Sequence, residues 1–228
     1  MGILYDQQGL ALLSIQTHLE AFSIQNCSGK DIGDIRESKD PEALWTVNEL
    51  GRMFRHLGDL QESEKLHRSA LAVFEQILAS DHPERIWTLN ALSTTLRLQN
   101  RPKEALEMLM EAYNARVGHV GELHPHSLWT CGDVAKCYRD IGQYDEAALW
   151  FQRALNGRLV ALGPDNPDIF WSMNQLGLVF ESQGRYDDAM TVQVRALNNQ
   201  SHFLGQNHSH TRWTQAAVKQ LSSVMKQA

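Results

Sequence analysis

His124 to Asp165 reads HPHSLWTCGDVAKCYRDIGQYDEAALWFQRALNGRLVALGPD, and this stretch decides the fold. Between Leu128 and Asp140 the apolar residues Cys131, Val134, Ala135 and Tyr138 fall three, four and seven apart, which predicts one buried face of a helix. Gly142 breaks the pattern. Tyr144-Asp145-Glu146-Ala147 then opens a second helix with acids in its first turn, where they favour the helix dipole. Ala147, Phe151, Ala154 and Leu155 give that helix its own apolar stripe, and Gly163-Pro164-Asp165 ends it. The segment is a helical hairpin.

Outward from this hairpin the sequence repeats. Trp129 is one of five tryptophans, Trp45, Trp87, Trp129, Trp171 and Trp213, spaced by 42 residues. Asp40-Pro41, His82-Pro83, His124-Pro125 and Asn166-Pro167 keep the same register, and His208-Ser209 continues it. Self-similarity at such a period marks a stacked-repeat architecture rather than a single globular core. Small residues recur too. Gly51, Ser93, Ala135 and Gly177 share one first-helix position; Ser63, Ala105, Ala147 and Ala189 share one on the second helix, and Ala70, Ala112, Ala154 and Ala196 another. Small side chains at fixed points let two helices approach closely. The position between the helices reads Gly58, Asn100, Gly142, Gly184. Asn is the residue that best replaces Gly at a positive φ, so a tight turn is expected in the second repeat as well.

Val134-Ala135, Tyr138, Gly142, Tyr144, Ala147, Phe151 and Ala154 together resemble the tetratricopeptide repeat. The 42-residue period is similar to that of the kinesin light chain branch and of repeats in large fungal receptor-like proteins, and Ala154-Leu155-Asn156-Gly157 with Ala161-Leu162-Gly163-Pro164-Asp165-Asn166-Pro167 resembles the fungal form. The resemblance covers about residues 40 to 228 and implies an all-α fold, a right-handed superhelical solenoid of antiparallel helix pairs. The expected organisation is an N-terminal helix and polar loop over 1–39, four helical-hairpin repeats over 40–207, and a capping helix over 208–228. His67 and Gln193 depart from the pattern, standing where Leu109 and Phe151 show a large apolar residue.

The ligand face follows from helical geometry. In the first repeat the core face is Val47, Leu50, Gly51 and Phe54, and Trp45 lies about 160° from Val47 at 100° per residue. The tryptophan therefore heads a different stripe, Trp45, Asn48, Arg52, Arg55. Its counterparts are Trp87, Asn90, Thr94, Arg97; then Trp129, Gly132, Lys136, Arg139; then Trp171, Asn174, Leu178, Glu181. In the family that the chain resembles, this stripe lines the concave groove and its asparagines hold the backbone of an extended peptide. Asn48, Asn90 and Asn174 match; Gly132 and Ala216 do not. Arg52, Arg55, Arg97, Lys136 and Arg139 stand there against Glu181 alone, and a groove of one sign concentrates ligands of the other. The expected partner is an acidic extended peptide segment with an aromatic or apolar anchor. The competing reading is that each tryptophan packs against the neighbouring repeat.

Other functions find less support. A net charge of −6 opposes general nucleic-acid binding, and no apolar run is long enough to span a bilayer. Cys27, Cys131 and Cys137 have no metal-type spacing, and the expected compartment is reducing and cytoplasmic. No phosphate-binding, dinucleotide or nucleophile-elbow motif occurs, so neither catalysis nor a cofactor is expected. Two alternatives to an adaptor remain: the sensing or autoinhibitory repeats of a receptor-like switch protein, and a small-molecule-binding protein or enzyme on a helical scaffold. His82, His124 and His208 recur at one position before a helix, which points to a structural role rather than a metal site. Stripping divalent ions with a chelator should accordingly leave thermal melting unchanged. A drop of more than a few degrees would reveal an ion that contributes folding energy.

Overall fold

The computed structural model describes residues 41–226, and over them the chain is all helix and turn. The N-terminal helix and loop expected over 1–39, and Cys27 with them, lie outside the described residues. The nine helices described are α1 (Pro41–Leu57), α2 (Leu60–Ile77), α3 (Pro83–Leu98), α4 (Pro102–Val120), α5 (Pro125–Ile141), α6 (Tyr144–Leu162), α7 (Pro167–Ser182), α8 (Tyr186–Phe203) and α9 (Ser209–Met225). They fall into two compact units, one ending at His119 and one beginning at Val120. In the first, α1 packs on α2 and α2 on α3; in the second, each of α5 to α8 packs on the next.

The sequence dictates the ends of these helices. His82, His124 and His208 are N-caps, each ring Nδ1 accepting the backbone N–H two residues on, at 3.3, 3.2 and 3.3 Å; Asn166 does the same through its side-chain oxygen at 2.9 Å. Proline follows at the first helical position of α3, α5 and α7, where its missing N–H would be unpaired in any case. At the hairpin bend Gly58, Asn100, Gly142 and Gly184 all have positive φ, 87°, 62°, 88° and 74°. The residue after each donates its N–H five residues back along the turn: Asp59 to Phe54, Arg101 to Leu96, Gln143 to Tyr138 and Arg185 to Phe180, at 2.8–2.9 Å. This double-bonded stop uses carbonyls that would otherwise be left without a donor. It also reverses the chain within two or three residues, so the second helix must fold back on the first.

Close contact within the hairpin rests on the small residues. Ser63, Ala70, Ala105, Ala112, Ala135, Ala147, Ala154, Ala189 and Ala196 are fully buried. The two residues that depart from the repeat pattern have their own accommodation. His67 and Gln193 are also fully buried, and each faces a glycine on the first helix. A Cβ on Gly51 would sit 2.7 Å from the His67 ring, and one on Gly177 would sit 2.6 Å from Gln193. Where the second helix carries Leu109 or Phe151, the first carries Ser93 or Ala135. Volume is traded across the interface at one register position, as a close-packed interior requires.

In the first unit Ala43, Leu44, Val47, Leu50, Leu66, Ala70 and Phe74 form one apolar cluster between α1 and α2. α4 is tied to α2 by Arg68–Glu104, and Arg101 just before it by a bond to Glu64 at 2.8 Å, although exposed pairs of this kind contribute little. In the second unit Phe151 and Leu155 of α6 pack with Ile169, Phe170 and Met173 of α7, so the core runs from one repeat into the next.

His67 makes the first unit sensitive to acid. Burial first, and then the charge of Arg55, push its pKa from 6.5 to about 3. The folded chain keeps the ring neutral while the unfolded chain takes up a proton below about pH 6.5, so stability is lost progressively as pH falls from there towards 3. The melting temperature of the wild type should therefore fall more steeply with acid than that of His67→Gln, the residue that Gln193 supplies at this position. Equal slopes would show that His67 does not carry the effect.

Candidate functional site on the first helices

The first-helix stripe divides into two parts that the sequence reading had joined. Asn48 is fully buried. Its Nδ2 donates to Thr88 Oγ1 of the next repeat at 2.7 Å, and its Oδ1 lies 3.2 Å from His67 Nδ1. Asn174 repeats the arrangement, donating to Thr214 Oγ1 at 2.8 Å. Asn90 donates to Ile86 O of its own helix at 2.7 Å. The amide groups expected to hold a ligand backbone thus have their donors engaged, in two of three cases by the following repeat. Helical periodicity places these asparagines beside the tryptophans but does not say which neighbour the stack will bring against them.

The tryptophans alternate. Trp87 and Trp171 are half-buried and meet the second helix of the preceding repeat edge-on, Trp87 against His67 at 6.5 Å between ring centroids and Trp171 against Phe151 at 6.3 Å. Trp45 and Trp129 are 49% and 61% exposed. Packing between repeats therefore accounts for one pair. It leaves the other pair with large areas of indole in water.

The basic residues are laced as well. In the first unit Arg52 is paired with Glu49 at 2.7 Å, and Arg55 Nη1 reaches Ala91 O at 3.3 Å. In the second, Arg139 Nη1 reaches Gln175 Oε1 at 2.9 Å, the same step into the next repeat. Lys136 is paired with Asp133 at 2.8 Å and sits 4.8 Å above the Trp171 ring. Arg97 is half-buried on α3. The acids Glu49, Asp133 and Asp140, which lie off the stripe, temper a positive field that the stripe alone overstates.

One residue escaped the sequence reading. Arg158, on the second helix α6, is only 2% exposed; it donates to Ser172 Oγ and, at 3.3 Å, to Leu128 O. Its guanidinium lies 5.5 Å from the Trp171 ring. Burial lowers its pKa, against the opposing influence of Asp168. Arg158 forms the floor of a cleft of about 340 Å³ in the second unit, between Trp129 and Trp171, with Asp133, Lys136 and Asp168 at its sides. Comparing second helices at the 42-residue register would have exposed it, since Arg116 occupies the preceding position.

The hairpin geometry and the recurring caps are those of a known repeat, and the family model for the tetratricopeptide repeat matches residues 42–116 and 127–202. The chain belongs to the tetratricopeptide repeat family. Its fold is similar to solved structures of the nearly identical repeats of a kinesin light chain-like protein from Podospora anserina (21% identity, 87% of this chain and 95% of that one, TM-score 0.68). BtubC from P. vanneervenii is similar at 15% identity over 98% of this chain and 92% of that one, with a TM-score of 0.64. A Rap protein complexed with Competence and Sporulation Factor is similar at 14% identity over 96% of this chain and 62% of that one, TM-score 0.64. Among curated proteins none matches in sequence. Such repeats are typically non-enzymatic scaffolds for protein interaction. Among the described residues no helix is long and apolar enough to cross a membrane, and no group of three His, Cys, Asp or Glu side chains is placed to share a metal ion.

The two kinds of tryptophan should separate in a stability measurement. Trp171→Ala removes a ring packed on Phe151 and should destabilise by about 2 kcal/mol or more. Trp129→Ala, with most of its ring in water, should stay within roughly 0.5 kcal/mol of wild type in urea unfolding. Equal losses would place both rings in the packing between repeats.

Proposed function

We propose that this chain is a protein-interaction scaffold whose first-helix faces bind an acidic, extended peptide segment. The observation that carries the reading is Trp129, 61% exposed on the same helix as Lys136 and Arg139. A large aromatic side chain contributes most when desolvated, and one left in water at a fixed repeat position beside cations suits an anchor for a partner. Trp45, with Arg52 and Arg55 on α1, repeats the combination in the first unit. Trp45, Trp87, Trp129 and Trp171 then supply apolar contact, and Arg52, Arg55, Arg97, Lys136 and Arg139 supply charge. Asn48 and Asn174, buried between repeats, serve the site by fixing the spacing of repeats, and half-buried Asn90 lies at the stripe with its amide bonded to its own helix. A similarly folded Rap protein complexed with Competence and Sporulation Factor supports the general idea of ligand recognition on such a scaffold. An adaptor role in the cytoplasm fits this reading.

The test is an unbiased selection of peptides displayed as a random library against the whole chain. Selected peptides should be enriched in Asp and Glu and should contain an aromatic or large apolar residue. Their binding should weaken with added salt, because charges exposed on a helix face are screened over about 8–10 Å at physiological ionic strength. Arg97→Glu should weaken it more than Lys103→Glu, a charge exposed on the second helix α4. Selected peptides without acidic enrichment, or with affinity indifferent to salt and to Arg97→Glu, would reduce the basic stripe to a solvated face.

A further inference from the structure

The cleft floored by Arg158 has a counterpart one repeat later. Trp129, Asp133, Arg158, Asp168 and Trp171 line the first; Trp171, Gln175, Gln200, His210 and Trp213, each 42 residues on, line the second. In the second unit the cleft is therefore a product of the repeat, made at both places where the second helix of one hairpin meets the first helix of the next. What varies is the floor, which reads Phe74, Arg116, Arg158, Gln200 through the four repeats. An apolar ring and a neutral amide both serve at this position, so packing alone does not call for a cation.

Hydrogen bonding does not call for one either. Thr88, Thr130, Ser172 and Thr214 share a register position. Asn48 bonds Thr88 and Asn174 bonds Thr214 from the first helix of the preceding repeat. In the third repeat that asparagine is replaced by Gly132, and Arg158 bonds Ser172 from the second helix instead. A Cβ on Gly132 would lie 3.3 Å from the Trp171 ring and 3.8 Å from Arg158 Nη2, so the glycine opens the space that the guanidinium and the indole share. An asparagine at 132 would give Ser172 its partner without a charge. The arrangement present instead sinks a positive charge under a cleft.

Among the described residues that charge has no ion-pair partner, and Asp168 and Asp133 act on it only through space. The hydrogen-bond partners of Arg158, Ser172 Oγ and Leu128 O, are neutral, and among the described residues no carboxylate lies within ion-pairing distance of it. Asp133 is held by Lys136, and Asp168 is exposed at the mouth. A buried guanidinium without a counter-ion is unfavourable, and a carboxylate entering from outside would relieve it. Its planar fork suits a carboxylate in two-point contact. The cleft, at about 340 Å³, holds a small acidic side chain but not a domain.

We propose that this cleft is a carboxylate-binding subsite, in which Arg158 from the floor and Lys136 from the side receive an Asp or Glu side chain of a peptide lying between Trp129 and Trp171. The assignment rests on the peptide-binding reading above and names where one acidic residue of the ligand is read. Lys136 stays over the Trp171 ring, and Asp133 sets the selectivity: a ligand must carry a negative charge to compete with it for Lys136.

The test uses the full chain and two probes, acetyl-Gly-Glu-Gly-amide and acetyl-Gly-Gln-Gly-amide, with inorganic phosphate as a third. Binding is followed through the indole N–H signals of Trp129 and Trp171 and the Arg158 Nε–H signal in nitrogen-15 spectra. The Glu peptide should shift these signals saturably, and the Gln peptide should bind roughly tenfold more weakly or worse, the scale of one lost charge-assisted hydrogen bond. Arg158→Gln, the residue that Gln200 supplies at this position, should abolish the difference between the two peptides. Should Arg158→Gln fail to fold, Lys136→Met gives the same readout from a side chain at the cleft wall. Equal binding of the Glu and Gln peptides, retention of the preference in Arg158→Gln or in Lys136→Met, or saturation by phosphate but not by the Glu peptide would each overturn the assignment. Peptides from the library selection separate the two levels. If they are acidic and sensitive to Arg97→Glu but not to Arg158→Gln, the subsite fails and the wider reading stands. If they are not acidic while the Glu tripeptide still depends on Arg158, the wider reading fails and the subsite stands.

Discussion

The contact between the two helices of a hairpin, at the one position where a small residue faces a large one, is the constraint on which the rest of the molecule depends. A stack of repeats has no single core to absorb a local misfit, so every hairpin must close on its own terms. Gly51 opposite His67 and Gly177 opposite Gln193 show how literally this holds: with a large polar side chain on the second helix, the first gives up its Cβ. The turn upstream of the contact is equally fixed. Gly58, Asn100, Gly142 and Gly184 set the angle at which the second helix returns, and any residue strained at positive φ would displace the whole interface.

From that closure follows the surface between hairpins. Within each unit the second helix, once seated, presents one face to the first helix of the following repeat, and side-chain hydrogen bonds between repeats act as spacers. A hydroxyl from the following repeat meets an amide in two cases and a guanidinium in one. The half-buried tryptophans belong to this layer, packed against His67 and Phe151. The exposed ones stand at the same position in other repeats. A single residue type thus serves as packing in one repeat and meets solvent in another, because burial depends on what the neighbouring hairpin puts against it.

Charge is arranged by the same rule. Arg55 and Arg139 each reach forward into the next repeat, and Lys136 is neutralised by Asp133 one turn away, so these cations are partly spent on holding the stack. Arg158 is different in kind. It is desolvated and hydrogen-bonded only to neutral groups, a cost that an outside carboxylate would offset on the reading proposed above. On that reading, the stripe visible from periodicity and the charge buried behind it would play separate parts, one in attracting a ligand and one in reading it.

The sequence by itself determined the period, the helical hairpin, the small-residue interface and the ends of the helices. Each of these is a local matter: apolar spacing fixes a helix face, a positive φ selects Gly or Asn, and His-Pro or Asn-Pro pairs mark a cap. Asn100 at φ 62° and the three capping histidines follow from residue chemistry within a few positions of the chain. The tertiary structure alone decided which members of the tryptophan stripe meet solvent. Asn48 and Asn174 occupy the stripe position by period yet are buried, because their partners Thr88 and Thr214 come from a helix 40 residues further on. Arg158 was hidden for the same reason: it lies on the second helix, outside the stripe, and only the stacking of α6 on α7 carries its guanidinium beneath Trp171. Periodicity describes a helix against its own axis, whereas a binding cleft is made by the residues that two helices bring together.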